Sequence, residues 1–286
     1  MNNLHIVTVA TESKYYFPYL VESCKRNGKD LEVLGYGEEW KGYNHKFMLM
    51  IDFLKQIKDD DIVCFVDGYD VLCIRELNQL TNVFVEMKKK YNCKIIVGFD
   101  NVDNIVLKII NKIMFGTCKD IAINSGTYIG YAKDLLIILQ KVYDLNNTNS
   151  ADDQVLLTKY CILNPADVYI DVKNELFLAL VRVGDLMDHI YIENNQVIYN
   201  KKAPFFIHAA GGRSHLDNMI QRLGYKLNEN IKKQLEEVYY KKFLYYFKMN
   251  IIYILLFIII VIVIIYILYK LIMHKKYIKL YKKLFS

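Results

Sequence analysis

The chain has 286 residues, 53% of them apolar and 24% charged, with a formal net charge of +6; this excludes a disordered polymer and suffices for one sizeable α/β domain with an appendage. The positive excess comes mainly from lysines around a long apolar segment in the C-terminal third rather than from a basic stripe, so no nucleic-acid partner is expected. Six cysteines (Cys24, Cys64, Cys73, Cys93, Cys118 and Cys161) include no C-x-x-C pair, which excludes a zinc ribbon and a dithiol redox motif and leaves mostly buried free thiols as the expectation.

The amino-terminal stretch Leu4 to Ala10 lacks a basic flank and reads as a first strand rather than a signal peptide. Strand patterns follow at Ile6 to Ala10, Leu31 to Gly35, Ile62 to Val66 and Lys94 to Gly98, separated by helical patterns at Tyr15 to Lys25, Lys46 to Ile57 and Glu76 to Tyr91. Thr127 to Tyr131 reads as another buried strand, followed by helices near Lys133 to Tyr143 and Asp152 to Cys161. A hairpin is expected over Tyr191 to Tyr199, with Asn194-Asn195 at its turn. A last apolar run, Ala203 to Ile207, delivers His208. Alternating strands and helices predict an α/β fold with a mostly parallel, Rossmann-like sheet flanked by helices.

Within that series, Asp67-Gly68-Tyr69-Asp70 closes the run Ile62-Val63-Cys64-Phe65-Val66. Ligands of open α/β sheets sit beyond the carboxyl ends of strands, where two carboxylates can hold a divalent cation. Asp and Gly also suit an acidic surface turn, and the motif by itself leaves both roles open.

From Ile251 to Tyr269 no residue is charged, and as a helix this segment would span about 28 Å, enough for a transmembrane helix. The expected organisation is a domain over 1–225, an amphipathic connector helix over 226–250, a span at 251–269 and a basic tail at 270–286. The chain is accordingly expected to contact a lipid bilayer through a C-terminal anchor, with the main domain in the cytosol favoured and the ER lumen as the alternative.

The succession Val9-Ala10-Thr11, Gly37-Glu38-Glu39-Trp40, Val66 to Val71, Asn124 to Ala132 and Asp152-Asp153-Gln154 resembles the glycosyltransferase domain of procollagen lysyl hydroxylases and related collagen glycosyltransferases, over about residues 4 to 225. The resemblance implies a GT-A fold, a UDP-sugar donor and Mn²⁺, with Mg²⁺ as an alternative ion. It implies Asp67, Asp70 and His208 as metal ligands, and two carboxylates with one imidazole suit Mn²⁺ better than Ca²⁺ or a closed zinc site. Thr11, Trp40 and Tyr69 match uridine-pocket positions, and Lys46 a phosphate-neutralising lysine. Asp152, Asp153 and Asn124 are the implied catalytic residues, with Ser125 lining the same cleft. A helix amino terminus would by itself account for Asp152 and Asp153.

Where the family carries His-Gly-Asn-Gly-Pro-Thr-Lys, this chain has His208-Ala209-Ala210-Gly211-Gly212-Arg213-Ser214, so Ala210 replaces the Asn that approaches the sugar and Arg213 is the candidate phosphate cation. The expected activity is metal-dependent transfer of a hexose, glucose or galactose, from a UDP-sugar to an acceptor hydroxyl on a protein or glycan, hydroxylysine in a collagen-like protein included. The alternative is an inactive, membrane-tethered binding module of the same fold.

Overall fold

A computed structural model describes residues 2–102, 105–145, 152–180, 189–193, 196–210 and 214–231, with 233, 234, 237, 240, 244, 259 and 261–274 beyond them. Two units are distinguished, Met1–Lys232 and Lys233–Ser286.

In the first unit, chain order runs β1 (Leu4–Val9), α1 (Phe17–Arg26), β2 (Leu31–Leu34), α2 (Tyr43–Leu54), β3 (Ile62–Val66) and β4 (Val71–Cys73). A 3-10 turn (Leu77–Gln79) then leads into α3 (Leu80–Tyr91), β5 (Ile95–Asn101), α4 (Ile105–Phe115), β6 (Ile123–Tyr131), α5 (Ala132–Asp144) and α6 (Asp153–Leu163). The series closes with β7 (Val168–Ile170), β8 (Phe177–Leu180), the hairpin β9 (Ile190–Glu193) and β10 (Gln196–Tyr199), β11 (Phe206–His208) and α7 (Ser214–Arg222).

Nine strands form one sheet in the order β2-β1-β3-β6-β5-β8-β11-β4, with β7 beside β5. Every residue of β3 is buried, as a strand covered on both faces requires. The two-residue period sends Val63 and Phe65 into one core and Ile62, Cys64 and Val66 into the other.

The sheet is mixed. β1 pairs in parallel with β2 and β3, and β5 with β7 and β8, but β6 runs antiparallel to both β3 and β5, and β4 antiparallel to β11. This modifies the expected mostly parallel sheet and has a consequence for function. The middle of β6, rather than its end, lies beside the exit of β3: Val66 is paired with Thr127, and the Asp67 N–H donates to the Gly126 carbonyl at 2.8 Å.

The sheet is also curled. β3 and β4 are joined by Asp67 to Asp70 alone, yet stand five places apart in the strand order. A flat sheet would separate them by about 24 Å, whereas Val66 to Val71 reach at most about 17 Å. Strand β4 therefore folds back toward the mouth of β3.

The cysteines follow the expectation in part, and the expected span is not supported by the described residues. Cys118 and Cys161 are joined in a disulfide, while Cys24, Cys64, Cys73 and Cys93 are the buried free thiols anticipated. Among the described residues no helix is long and apolar enough to cross a membrane. Of the expected span at 251–269, residues 251–258 and 260 lie outside the described residues, as does much of the connector at 226–250.

Candidate metal and nucleotide site

The exit of β3, the start of β4 and the end of β11 meet at one edge of the sheet. The β11–β4 register pairs His208 with Val71, and the Ala209 N–H donates to the Asp70 carbonyl at 2.9 Å. This ladder holds Asp70 and His208 side by side although they are far apart in the chain. Asp67 arrives from β3, and one ligand atom from each of Asp67, Asp70 and His208 lies within 4.8 Å of the others. His208 Nε2 is 3.1 Å from Asp70 Oδ1 and 3.9 Å from Asp67 Oδ2. Burial disfavours charge on His208, but the neighbouring Asp70 and Asp67 outweigh it and raise the imidazole pKa.

Two glycines allow this approach. A Cβ on Gly68 would stand 3.0 Å from the Val9 carbonyl oxygen, and one on Gly126 would stand 2.3 Å from His208 Cε1 and 2.5 Å from Asp67 Oδ2. The triad fits a divalent cation: two hard carboxylate oxygens and one imidazole nitrogen converge on the Gly126 cradle, and Asp67 and Asp70 are only partly buried, leaving room for further oxygen ligands.

Lys46, in the first turn of α2, is buried between two carboxylates. Its Nζ donates to Asp67 Oδ1 at 2.8 Å and to Asp153 Oδ2 at 2.6 Å, and stands 4.7 Å from the centroid of the Phe65 ring. Burial opposes its charge, yet Asp153 and Asp67 prevail and raise its pKa. Lys46 thus ties the β3 exit to the start of α6.

Asp152 caps α6, its Oδ1 accepting the Gln154 N–H at 2.8 Å. Its pKa is raised, first by burial and then by the charge of Asp153. Tyr43 borders these acids, its own pKa raised by burial and by Asp152 and Asp153. The exposed Trp40 lies edge-on to Tyr43 and His45, so its place is the rim of this region and not the core.

Tyr69 is held through its hydroxyl. It accepts the Thr11 N–H at 3.0 Å and reaches the Glu12 carbonyl at 3.3 Å, while Lys14 Nζ stands 5.1 Å from the ring centroid. The structure therefore joins Thr11 to Tyr69 through the Thr11 backbone. Ser125 is buried beside Asn124. Arg213 lies outside the described residues.

Asn124 sits behind His208. Its Oδ1 is 2.9 Å from His208 Nδ1 and accepts the Gly126 N–H at 3.1 Å, while its Nδ2 donates to Asp100 Oδ1 at 2.8 Å. Asp100 was not anticipated from the sequence, although a signal was present: it follows the apolar run of β5, within which it is paired with Ala179 of β8. Its Oδ2 accepts from Gln154 Nε2 at 3.0 Å and Asn111 Nδ2 at 3.3 Å. Burial raises the Asp100 pKa, opposed by the amides of Asn124 and Gln154.

Comparison with known proteins gives a consistent picture. The family model described as PLOD GT domain matches residues 1–234. A multifunctional procollagen lysine hydroxylase and glycosyltransferase from Caenorhabditis elegans is 25% identical over 252 residues, covering 80% of this chain and 33% of that protein. The human procollagen-lysine,2-oxoglutarate 5-dioxygenase 2 is 28% identical over 193 residues, covering 63% of this chain and 25% of that protein. The chain thus spans a third or less of these relatives. Among solved structures, a glycosyltransferase involved in the glycosylation of the major capsid of PBCV-1 superposes with a TM-score of 0.52 over 77% of this chain and 99% of that one, at 14% identity, a likeness of fold.

Proposed function

Because the chain belongs to the PLOD GT domain family of glycosyltransferases, we propose that it transfers a hexose, glucose or galactose, from a UDP-sugar to an acceptor hydroxyl, with hydroxylysine of a collagen-like protein as the leading acceptor. The observation that carries this reading is the convergence of Asp67, Asp70 and His208 within 4.8 Å at the sheet edge that also bears Tyr69.

In this reading Asp67, Asp70 and His208 hold Mn²⁺. A cation bound there supplies Lewis-acid charge to a departing diphosphate. The Tyr69 ring, fixed through its hydroxyl, offers a face for uracil, and stacking of this kind is worth about 1–3 kcal/mol per base. Asp152 is the better-placed general base of the two helix acids, because Asp153 is engaged by Lys46 whereas Asp152 commits only Oδ1 to its cap. Lys46 holds the two acidic elements in register. The Cys118–Cys161 bridge favours an oxidising compartment such as the ER lumen over the cytosol as the place of action.

A second reading has its own support: Ala210 stands where the family's sugar-approaching Asn is found, which suits a binding module without turnover. One experiment separates the two. UDP release by the full chain is measured with UDP-glucose, UDP-galactose and hydroxylysine peptides, with and without Mn²⁺, beside UDP binding by calorimetry. Mn²⁺-dependent release that is lost in Asp70→Ala supports transfer; Mn²⁺-dependent UDP binding without release supports the binding module. Turnover unaffected by chelator and by Asp70→Ala would reject the metal site.

A further inference from the structure

We infer that Asp100 is a positioning residue, acting through Asn124 to fix the tautomer of His208 so that Nε2 presents its lone pair to the cation site. The inference rests on the metal-site reading above and concerns a residue that itself lies outside the triad.

A carboxamide can be turned end for end with little change of shape, so its orientation must come from its neighbours. Two neighbours of Asn124 agree. The Gly126 N–H can only donate, and at 3.1 Å it favours an oxygen at Oδ1. The Asp100 carboxylate accepts, and at 2.8 Å it requires the amino group at Nδ2. With both ends assigned, Oδ1 faces His208 Nδ1 at 2.9 Å, and an oxygen there is compatible only with Nδ1–H. The neutral ring then carries its lone pair on Nε2, which faces the acceptor Asp70 Oδ1 at 3.1 Å; with no ion between them the two lone pairs repel, and holding the Nδ1–H form against that pull is the task assigned to the Asp100–Asn124 pair.

Asp100 is an expensive way to secure packing alone. It is buried, and its three side-chain partners are neutral amides from three elements: Asn124 on β6, Gln154 on α6 and Asn111 on α4. The line Asp100–Asn124–His208 matches the arrangement in which a metal-bound imidazole donates its other N–H to a partner that is itself oriented by hydrogen bonds, and loss of such partners typically costs about 10–100-fold in metal affinity.

The test reads the tautomer directly. Long-range ¹H–¹⁵N spectra of the metal-free protein, taken at alkaline pH with the ring neutral, should show His208 as Nδ1–H. In Asp100→Val only the Gly126 N–H is left to orient Asn124 against the pull of Asp70 on Nε2, so the Nε2–H form should appear, and Mn²⁺ affinity by calorimetry should fall about 10–100-fold; Asp100→Ala serves if the valine variant does not fold. Asp100→Asn retains an acceptor oxygen and should restore the Nδ1–H form with Mn²⁺ affinity near wild type. An Nε2–H ring in the wild type overturns the inference, as does an unaltered tautomer and Mn²⁺ affinity in the Asp100 variants. A wild type with the expected tautomer, lost on removal of Asp100, that nonetheless binds no Mn²⁺ would sink the metal reading while sustaining the positioning role.

Discussion

Gly126 and His208 are packed so closely that a single methyl group added at 126 would stand 2.3 Å from His208 Cε1. Gly126 lies in a central strand and accepts the Asp67 N–H through its carbonyl, so the backbone has little freedom to retreat. Gly126→Ala is therefore expected to displace His208 or Asp67. Overpacking of this kind costs about 1–3 kcal/mol, and where it falls on the ligands Mn²⁺ affinity should drop at least tenfold by calorimetry. Wild-type affinity in that variant would show that the triad tolerates rearrangement and is not the ion site.

Lys46 and Asp153 form a buried pair with Asp67 as the second acid. Removing one member of such a pair leaves uncompensated charge and costs about 3–5 kcal/mol. Urea unfolding of Lys46→Met should show a loss of this order, and Lys46→Met combined with Asp153→Leu should recover part of it. A loss below about 1 kcal/mol, the level of a surface pair, would mean that water reaches the site freely.

The bridge between Cys118 and Cys161 closes a loop over a sequence separation of 43 residues. Chain-entropy reasoning gives about 4 kcal/mol for a loop of this length as an upper expectation. A reductant should lower the melting temperature of the wild type but leave the Cys118→Ser/Cys161→Ser double variant unchanged. Equal sensitivity in both would show that the cystine does not stabilise the fold.

Asp61 gives a dependence on pH away from the site. Burial pushes its carboxyl up, but the Asn3 N–H at 2.8 Å, His5 Nε2 at 3.4 Å and the Lys58 N–H at 3.3 Å outweigh burial and hold it below the usual carboxylate range. Its folded-state pKa lies below that of the unfolded chain, so on acidification the unfolded state takes up the proton first. The stabilisation is complete above the unfolded value and is lost as pH falls through the folded one. Asp61→Asn should cost about 1–3 kcal/mol at neutral pH, and the gap from wild type should close in acid. A gap independent of pH would assign Asp61 a packing role only.

The sequence made some of this legible and hid the rest for physical reasons. Asp67 and Asp70 could be read because β3 is an unbroken apolar run ending in acid, and strand exits are where sites form. His208 gained its role from the resemblance, since its nearness to Asp70 depends on the β11–β4 register, which no local pattern records. The direction of β6 was equally hidden, because a strand buried on both faces looks the same read either way. Asp100 escaped because an irregularity between Val97 and Gly98 lets β5 continue to Asn101, beyond the expected end. Helix α4 went unread although its apolar residues are conspicuous; Ile105, Ile109 and Ile113 prove to be exposed. The pairing of Cys118 with Cys161 cannot be deduced from spacing across such a separation.

The short passage from Asp67 to Asp70 spans the gap between two strands that the sheet order sets far apart. An ion gripped by both aspartates and His208 would act as a clasp on a rolled sheet, drawing the β11–β4 border against β3. Its binding energy would enter the folding balance of the whole domain. The supply of metal would then govern how long the domain survives heat and proteases as well as how fast it works, so that a chain starved of its ion would be marked for removal before it was ever asked to act.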